Sequence, residues 1–219
     1  RQIQAFQVPI VAADATLTAF EVLEDGTQIA LGFNTGLVLL FKGDFLREGA
    51  MGRSVQPTML HQSHSHPVSG LHFKYTISGA DRAVRLFVVF DKDAGQAPSE
   101  PVLPASVATA GILVFDTSIR TENRKPPVVL DERGAVPHCS ALMKETGELW
   151  VGRYDGVFAY SSEDRGGAAG FEGPKQCVAT IGRYILVAAP GVGKASDRTV
   201  VTVYDFRNKI TPYSKPLPA

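Results

Sequence analysis

Three imidazoles crowd one short stretch, His61, His64 and His66, and clustered imidazoles can bind zinc. The stretch Gln62-Ser63-His64-Ser65-His66-Pro67 reads as a loop, and no cysteine or carboxylate lies close in sequence to complete a ligand set. No metal is expected there. Pro190-Gly191-Val192-Gly193-Lys194-Ala195 has the look of a phosphate loop. That motif needs Gly at position 188 and Ser or Thr at 195; both positions are Ala, and a strand-like run follows, so no helix N-terminus faces a phosphate. His138 beside Cys139 has the residue types of a base and its thiol, but neighbours on a strand point to opposite faces. Cys139 and Cys177 fall at equivalent starts of innermost strands, where a small buried filler is expected. Glu24, Asp25, Glu145, Glu163 and Asp164 fall at turns, the place of solvated charge. A glycosidase on a radial β-fold would need two acids converging at one end of the axis, and no acid recurs where that is required. The expectation is therefore no catalytic residue, no metal and no cofactor in this chain. One charged stretch, Arg120, Glu122, Arg124 and Lys125 before Pro126-Pro127, reads either as a solvated connector or as a contact for a partner.

The elements that carry these residues follow from composition and pattern. The 219 residues are 44% hydrophobic, enough for a sizeable core. Lys plus Arg and Asp plus Glu are 22 each, so the chain lacks the basic excess that phosphate contacts demand, and nucleic acid is not an expected partner. The longest apolar runs, such as Leu37–Phe41 and Tyr184–Ala189, fall far short of the roughly 20 residues of a membrane-spanning helix. Two cysteines supply neither a disulfide framework nor a four-cysteine zinc module. The chain opens at Arg1, which suggests a piece of something longer.

Short apolar runs alternate with turns marked by 21 Gly and 14 Pro, the signature of an all-β chain. The runs also repeat. Glu24-Asp25-Gly26, then Ile29–Gly36, then Leu37–Phe41 is matched by Glu145-Thr146-Gly147, then Leu149–Gly156, then Val157–Tyr160. Weaker copies end in Phe115-Asp116 and Tyr204-Asp205, pairs reminiscent of the Trp-Asp ending of WD repeats. A fourth, poorer strand is expected after each triplet, near 57–61, 126–131, 168–172 and 210–215. The pattern predicts a WD-repeat-like β-propeller with about four blades, over residues 17–61, 68–131, 138–172 and 176–215, as part of a larger propeller. Residues 1–10 read as the outer strand of a preceding blade. Gly36 and Gly156 are expected to close hairpins at positive φ. An open arc would leave two apolar faces uncovered, one belonging to the blade containing Ile29, Leu31, Leu37 and Leu39 and the other to the blade containing Ile185, Val187, Val201 and Val203. On that reading the isolated chain is not a well-behaved monomer.

Arg120–Asp131 (RTENRKPPVVLD), Val157–Lys175 (VFAYSSEDRGGAAGFEGPK), Val203–Lys209 with Thr211–Ser214, and Ile29–Asp44 (IALGFNTGLVLLFKGD) resemble the vacuolar protein sorting-associated protein 11 family. The resemblance spans roughly residues 17–214, and Phe171-Glu172-Gly173-Pro174-Lys175 is its most specific part. It implies an N-terminal β-propeller of a core subunit of the HOPS and CORVET tethering complexes, followed in the family by an α-solenoid and a RING zinc domain. The cysteines of a RING are not in this chain, so no ubiquitin-ligase activity carries over. What the resemblance implies is a non-catalytic scaffold in endosome-to-vacuole or lysosome transport. Its partners would be the other tethering subunits, with small GTPases or SNARE machinery reached indirectly. Its place would be cytoplasmic, peripheral on late endosome, vacuole or lysosome membranes. The alternatives are a propeller-type hydrolase and a WD-repeat scaffold of another complex.

Overall fold

The computed structural model describes residues 14–45, 55–62, 66–78, 81–92, 107, 110–118, 125–163, 165–169, 173–191, 198–205 and 213–216. The sixteen elements β1 to β16 among them are β-strands. The first sheet runs β1 (Leu17–Val22), β2 (Gln28–Phe33), β3 (Leu37–Lys42), β4 (Thr58–Gln62). The second runs β5 (Val68–Ser78), β6 (Asp81–Phe90), β7 (Ile112–Asp116), β8 (Val128–Asp131). The third runs β9 (Ser140–Met143), β10 (Glu148–Arg153), β11 (Gly156–Tyr160), β12 (Arg165–Ala169), and the fourth β13 (Cys177–Ile181), β14 (Tyr184–Pro190), β15 (Thr199–Asp205), β16 (Tyr213–Pro216). Each sheet is an antiparallel meander in sequence order, as short loops between successive runs require.

The two faces of the inner strands go to different neighbours. On β6, Leu86, Val88 and Phe90 pack toward the first sheet with Val38 and Leu40, while Phe87 and Val89 pack toward the third with Leu149 and Val151. On β10, Trp150 turns the other way and meets Val178, Ile185 and Val187 of the fourth sheet. Sheets stacked in series, the middle ones with both faces covered, explain why β11 is buried at five consecutive positions. A two-layer sandwich would leave one face of each sheet to solvent, so the serial stacking supports the radial reading.

Gly36 has φ 74°, a left-handed conformation that a side chain resists, and its N–H bonds the carbonyl of Phe33 at 3.0 Å. Gly156, at φ 155°, is also positive but close to extended backbone. The third-to-fourth strand pairings are irregular in three sheets, with register shifts at Val38/Leu39, Ile112/Leu113 and Phe158/Tyr160. β12 begins at 165, earlier than the expected 168, because the chain turns back after β11 and pairs Tyr160 with Arg165; 170–172 lie outside the described residues. The outer strand expected over 1–10 lies outside the described residues.

The outward faces of the first and fourth sheets differ. On the first sheet Leu31, Leu37 and Leu39 are buried in a cluster with Phe41, against which Ile29, Phe33, Phe45 and Val55 pack. The exposed large apolar side chains of this sheet are Leu17, Phe20 and Val22 on β1 and Met59 on β4. On the fourth sheet the register pairs Ile185 with Tyr204 and Leu186 with Val203. Ile185 and Val187 therefore face the third sheet and are buried, whereas Val201 and Val203 lie on the opposite, outward face with Leu186 and the exposed Ile181 and Tyr184. The outward face of the fourth sheet is thus an apolar one, half-buried along β15.

Candidate functional site

The first strands of all four sheets converge on one pocket of about 390 Å³. Its walls are residues 21–24 of β1 and the turn after it, 72–75 of β5, 140–142 of β9 with Lys144 and Gly147 of the following turn, and 178–180 of β13. Strand alternation puts His72 and Lys74 on one side of β5 and Leu71 and Phe73 on the other, in the core. The His72 imidazole meets the Ser140 hydroxyl, Nε2 to Oγ at 2.9 Å, across the junction of the second and third sheets. Removal from water pushes its pKa down to about 4, so the ring is neutral at ordinary pH. Thr180 donates its hydroxyl hydrogen to the carbonyl of Leu142 at 2.8 Å and fastens β13 beside β9. Gly147 sits at φ 67°, and a Cβ there would fall 2.5 Å from the Cε of Lys74, so the lysine stem lies directly over the turn.

Charge in the pocket is of both signs. Lys144 and Glu24, 120 residues apart in sequence, form an exposed ion pair that links the third sheet to the first. Glu21, half-buried, has its pKa raised by desolvation, with Lys144 drawing it partly back. Glu21 and Glu24 hang from one end of one strand, and Glu24 is engaged by Lys144. They do not flank a bond from two sides as a glycosidase pair does.

Of the residues singled out in the sequence, His61 lies on β4 with its ring edge against Phe90 (centroids 5.4 Å apart) and near Phe115 (6.4 Å); burial lowers its pKa. His64 lies outside the described residues. No group of three or more His, Cys, Asp or Glu among the described residues is placed to hold a metal ion. Cys139 is buried, its thiol hydrogen bonded to the carbonyl of Lys175 at 3.4 Å, and its pKa is pushed up to about 11, mainly by burial. Cys177 is only partly buried, and both thiols are free. His138 is exposed at φ 66°, and its carbonyl accepts from the Val178 N–H at 2.8 Å. Asp25 accepts from the Thr27 N–H and hydroxyl, bonds that lower its pKa, and Glu145 and Glu163 are exposed. Of the charged stretch, Lys125 is exposed just ahead of β8; Arg120, Glu122 and Arg124 lie outside the described residues, as does Asp164. The segment 192–197 of the phosphate-loop lookalike does too.

The sequence reading missed the buried cations between sheets. Arg153 ends β10 and is 2% exposed. Its Nε donates to the Gly134 carbonyl at 2.8 Å, Nη2 to the Arg133 carbonyl at 2.5 Å and Nη1 to the Asp131 carboxylate at 3.1 Å. The Tyr160 hydroxyl donates to the same carboxylate at 2.6 Å, and the guanidinium stacks over the Phe158 and Tyr160 rings. Lys175, also buried, donates to the carbonyls of Tyr154 at 3.1 Å and Gly173 at 2.8 Å. A charge terminating an otherwise buried run, as in Leu149-Trp150-Val151-Gly152-Arg153, was the available signal. The polar alternation at His72 and Lys74 was the corresponding signal for the pocket.

Comparison with known proteins agrees with this architecture. The sequence model of the PEP5/VPS11 N-terminal family matches residues 3–219. Vacuolar protein sorting-associated protein 11 homologs are similar to the chain: that of Arabidopsis thaliana is 27% identical over 204 residues, covering 92% of this chain and 18% of that protein. The Homo sapiens homolog is 26% identical over 212 residues (90% and 19%), and the Drosophila melanogaster homolog 23% over 202 (89% and 22%). The chain thus spans between 18% and 22% of the length of these relatives. Among solved structures, the Dos1 propeller superposes with a TM-score of 0.59 at 11% identity, over 90% of this chain and 46% of that one, a likeness of fold alone.

Proposed function

The chain belongs to the PEP5/VPS11 N-terminal family, and from that premise we propose that it is a non-catalytic propeller scaffold in vacuolar protein sorting, acting in the HOPS and CORVET tethering complexes. Its work is display: stacked sheets hold loops in fixed relation so that other subunits can dock on them. The observation that carries this reading is the family match over residues 3–219. The geometry supports it, since the axial acids Glu21 and Glu24 lie three residues apart at the end of β1 and in the turn after it, and Glu24 is spent on Lys144. Its partners are the other tethering subunits, and it reaches late endosome, vacuole or lysosome membranes peripherally through them. Arg120, Glu122, Arg124 and Lys125 are the proposed contact segment.

The test is affinity purification of the tagged full-length protein, alongside delivery of a vacuolar cargo. The expected result is recovery of the tethering subunits, with cargo missorted when the propeller region is deleted. Absence of those subunits and normal delivery would overturn the scaffold reading. Charge reversal at Arg120 and Arg124 with assembly intact would remove that segment as the contact.

A further inference from the structure

The junction between the second and third sheets ends differently at its two ends. At one end the Arg153 guanidinium meets the Asp131 carboxylate and two carbonyls. At the other the register sets Lys74 of β5 directly opposite Arg85 of β6, and Arg85 opposite Asp116 of β7. Residues opposed in this way share a face, here the face of Phe87 and Val89, which is turned toward the third sheet. Like charges directly opposite, their Cβ atoms about 5 Å apart, destabilise a sheet. One carboxylate of this row serves two cations. Asp116 takes the Arg85 guanidinium on one oxygen and the Ser118 N–H and hydroxyl on the other. Lys74, partly buried with its stem over Gly147, makes no hydrogen bond or ion pair with any group among the described residues. The row is therefore left with an uncompensated positive charge.

We propose that Lys74 and Arg85 form a clamp for the carboxylate of an Asp or Glu side chain on a partner polypeptide. Arg85 gives Nη1 to Asp116 and has no other acceptor among the described residues, so the rest of its planar fork is free to donate. Its side chain is 34% exposed, within reach from solvent. A carboxylate has two oxygens and can accept from a guanidinium and an ammonium at once. A phosphate group brings roughly two negative charges to a row with one positive charge to spare and Asp116 beside it, which disfavours it. An open rim buries little of a small free acid, so further contact along a chain has to supply part of the affinity. This site goes beyond the scaffold reading and does not rest on it.

The probe is the acetylated, amidated peptide Gly-Ser-Glu-Ser-Gly, added to the full-length protein with a carbodiimide that couples a bound carboxylate to a neighbouring amine. Adducts are mapped by mass spectrometry, and one is expected on Lys74. Arg85→Gln should lower that adduct about tenfold, the factor that one charge-assisted contact is worth. Labelling of Lys74 by acetic anhydride, which reads only access to the amine, should stay unchanged. Asp116→Asn removes the competing carboxylate and should raise the adduct. If Arg85→Gln lowers the melting temperature, that rise carries the test. No adduct on Lys74, or an equal one in wild type and both variants, overturns the clamp. Coupling of acetylglutamate amide as efficient as that of the peptide overturns the polypeptide part. Stronger competition by the phosphoserine peptide than by the glutamate peptide overturns the carboxylate part.

Discussion

The junction between the first and second sheets and the junction between the second and third are built from different materials. In the first, Val38, Leu40, Leu86, Val88, Leu113 and Phe115 form a dry aliphatic and aromatic seam. In the second, Phe87, Val89, Ile112 and Leu149 pack in the same manner, but the seam ends at a buried guanidinium bound to the Asp131 carboxylate and the carbonyls of Arg133 and Gly134. An aliphatic seam rewards area and shape and tolerates other arrangements of similar volume. A guanidinium spends its donors on acceptors at fixed positions, so it accepts one docking of β8 on β10. The two seams bury similar side chains, yet only the second should be intolerant of chemically conservative change.

The largest effect is expected from Arg153→Met. It leaves the Asp131 carboxylate, 11% exposed on its side chain, without its cation, and should cost about 3–5 kcal/mol in urea denaturation; a loss below about 1 kcal/mol would erase the distinction between the seams. Conservative exchanges sharpen it. Arg153→Lys keeps the charge but cannot reach all three acceptors and should cost about 2 kcal/mol, whereas Leu86→Met in the dry seam should cost below about 1.5 kcal/mol. Equal costs would show that the cation contributes only bulk.

Acid works on the same contact. Burial alone would raise the pKa of Asp131, but Arg153, the Tyr160 hydroxyl and the Arg133 N–H together hold it below the usual carboxylate range. A folded pKa depressed below the unfolded value of about 3.9 gives stability that is full above that value and lost as pH falls through the folded pKa. The wild type should therefore lose stability more steeply below about pH 4 than Asp131→Asn does; parallel acid limbs would remove Asp131 from the account. Tyr160→Phe deletes one hydrogen bond to that carboxylate and should cost about 1 kcal/mol. Smallest is Arg133→Ala, whose ion pair with the 30%-exposed Asp155 should be worth about 0.5 kcal/mol or less, read as the shift in urea midpoint.

Much of the fold was legible because a strand announces itself locally. β3 and β11 each lie within a residue of the runs read from the sequence, Leu37–Phe41 and Val157–Tyr160, since alternating or continuous apolar runs bounded by turn residues need no knowledge of distant chain. The two aromatic-Asp endings both form ion pairs: Asp116 with Arg85 of β6, and Asp205 with Arg183 of the turn before β14. The candidate site was not legible. Glu21, His72 and Lys74 are unremarkable on their own strands, and His72 meets Ser140 across 68 residues of sequence.

What the sequence by itself determined was therefore the list of strands, their meander order and the turns between them, all set by interactions a few residues long. What only the tertiary structure decided was which neighbour each face meets. Period-two alternation places Val201 and Val203 on one face of β15 and Thr202 and Tyr204 on the other, but in strands apolar on both sides it carries no mark of inward or outward. The cation of Arg153 became tenable only when the second sheet docked on the third, and Glu21 and Lys74 came to line one pocket only when the four first strands converged. Burial and charge compensation are properties of that convergence rather than of any segment within it.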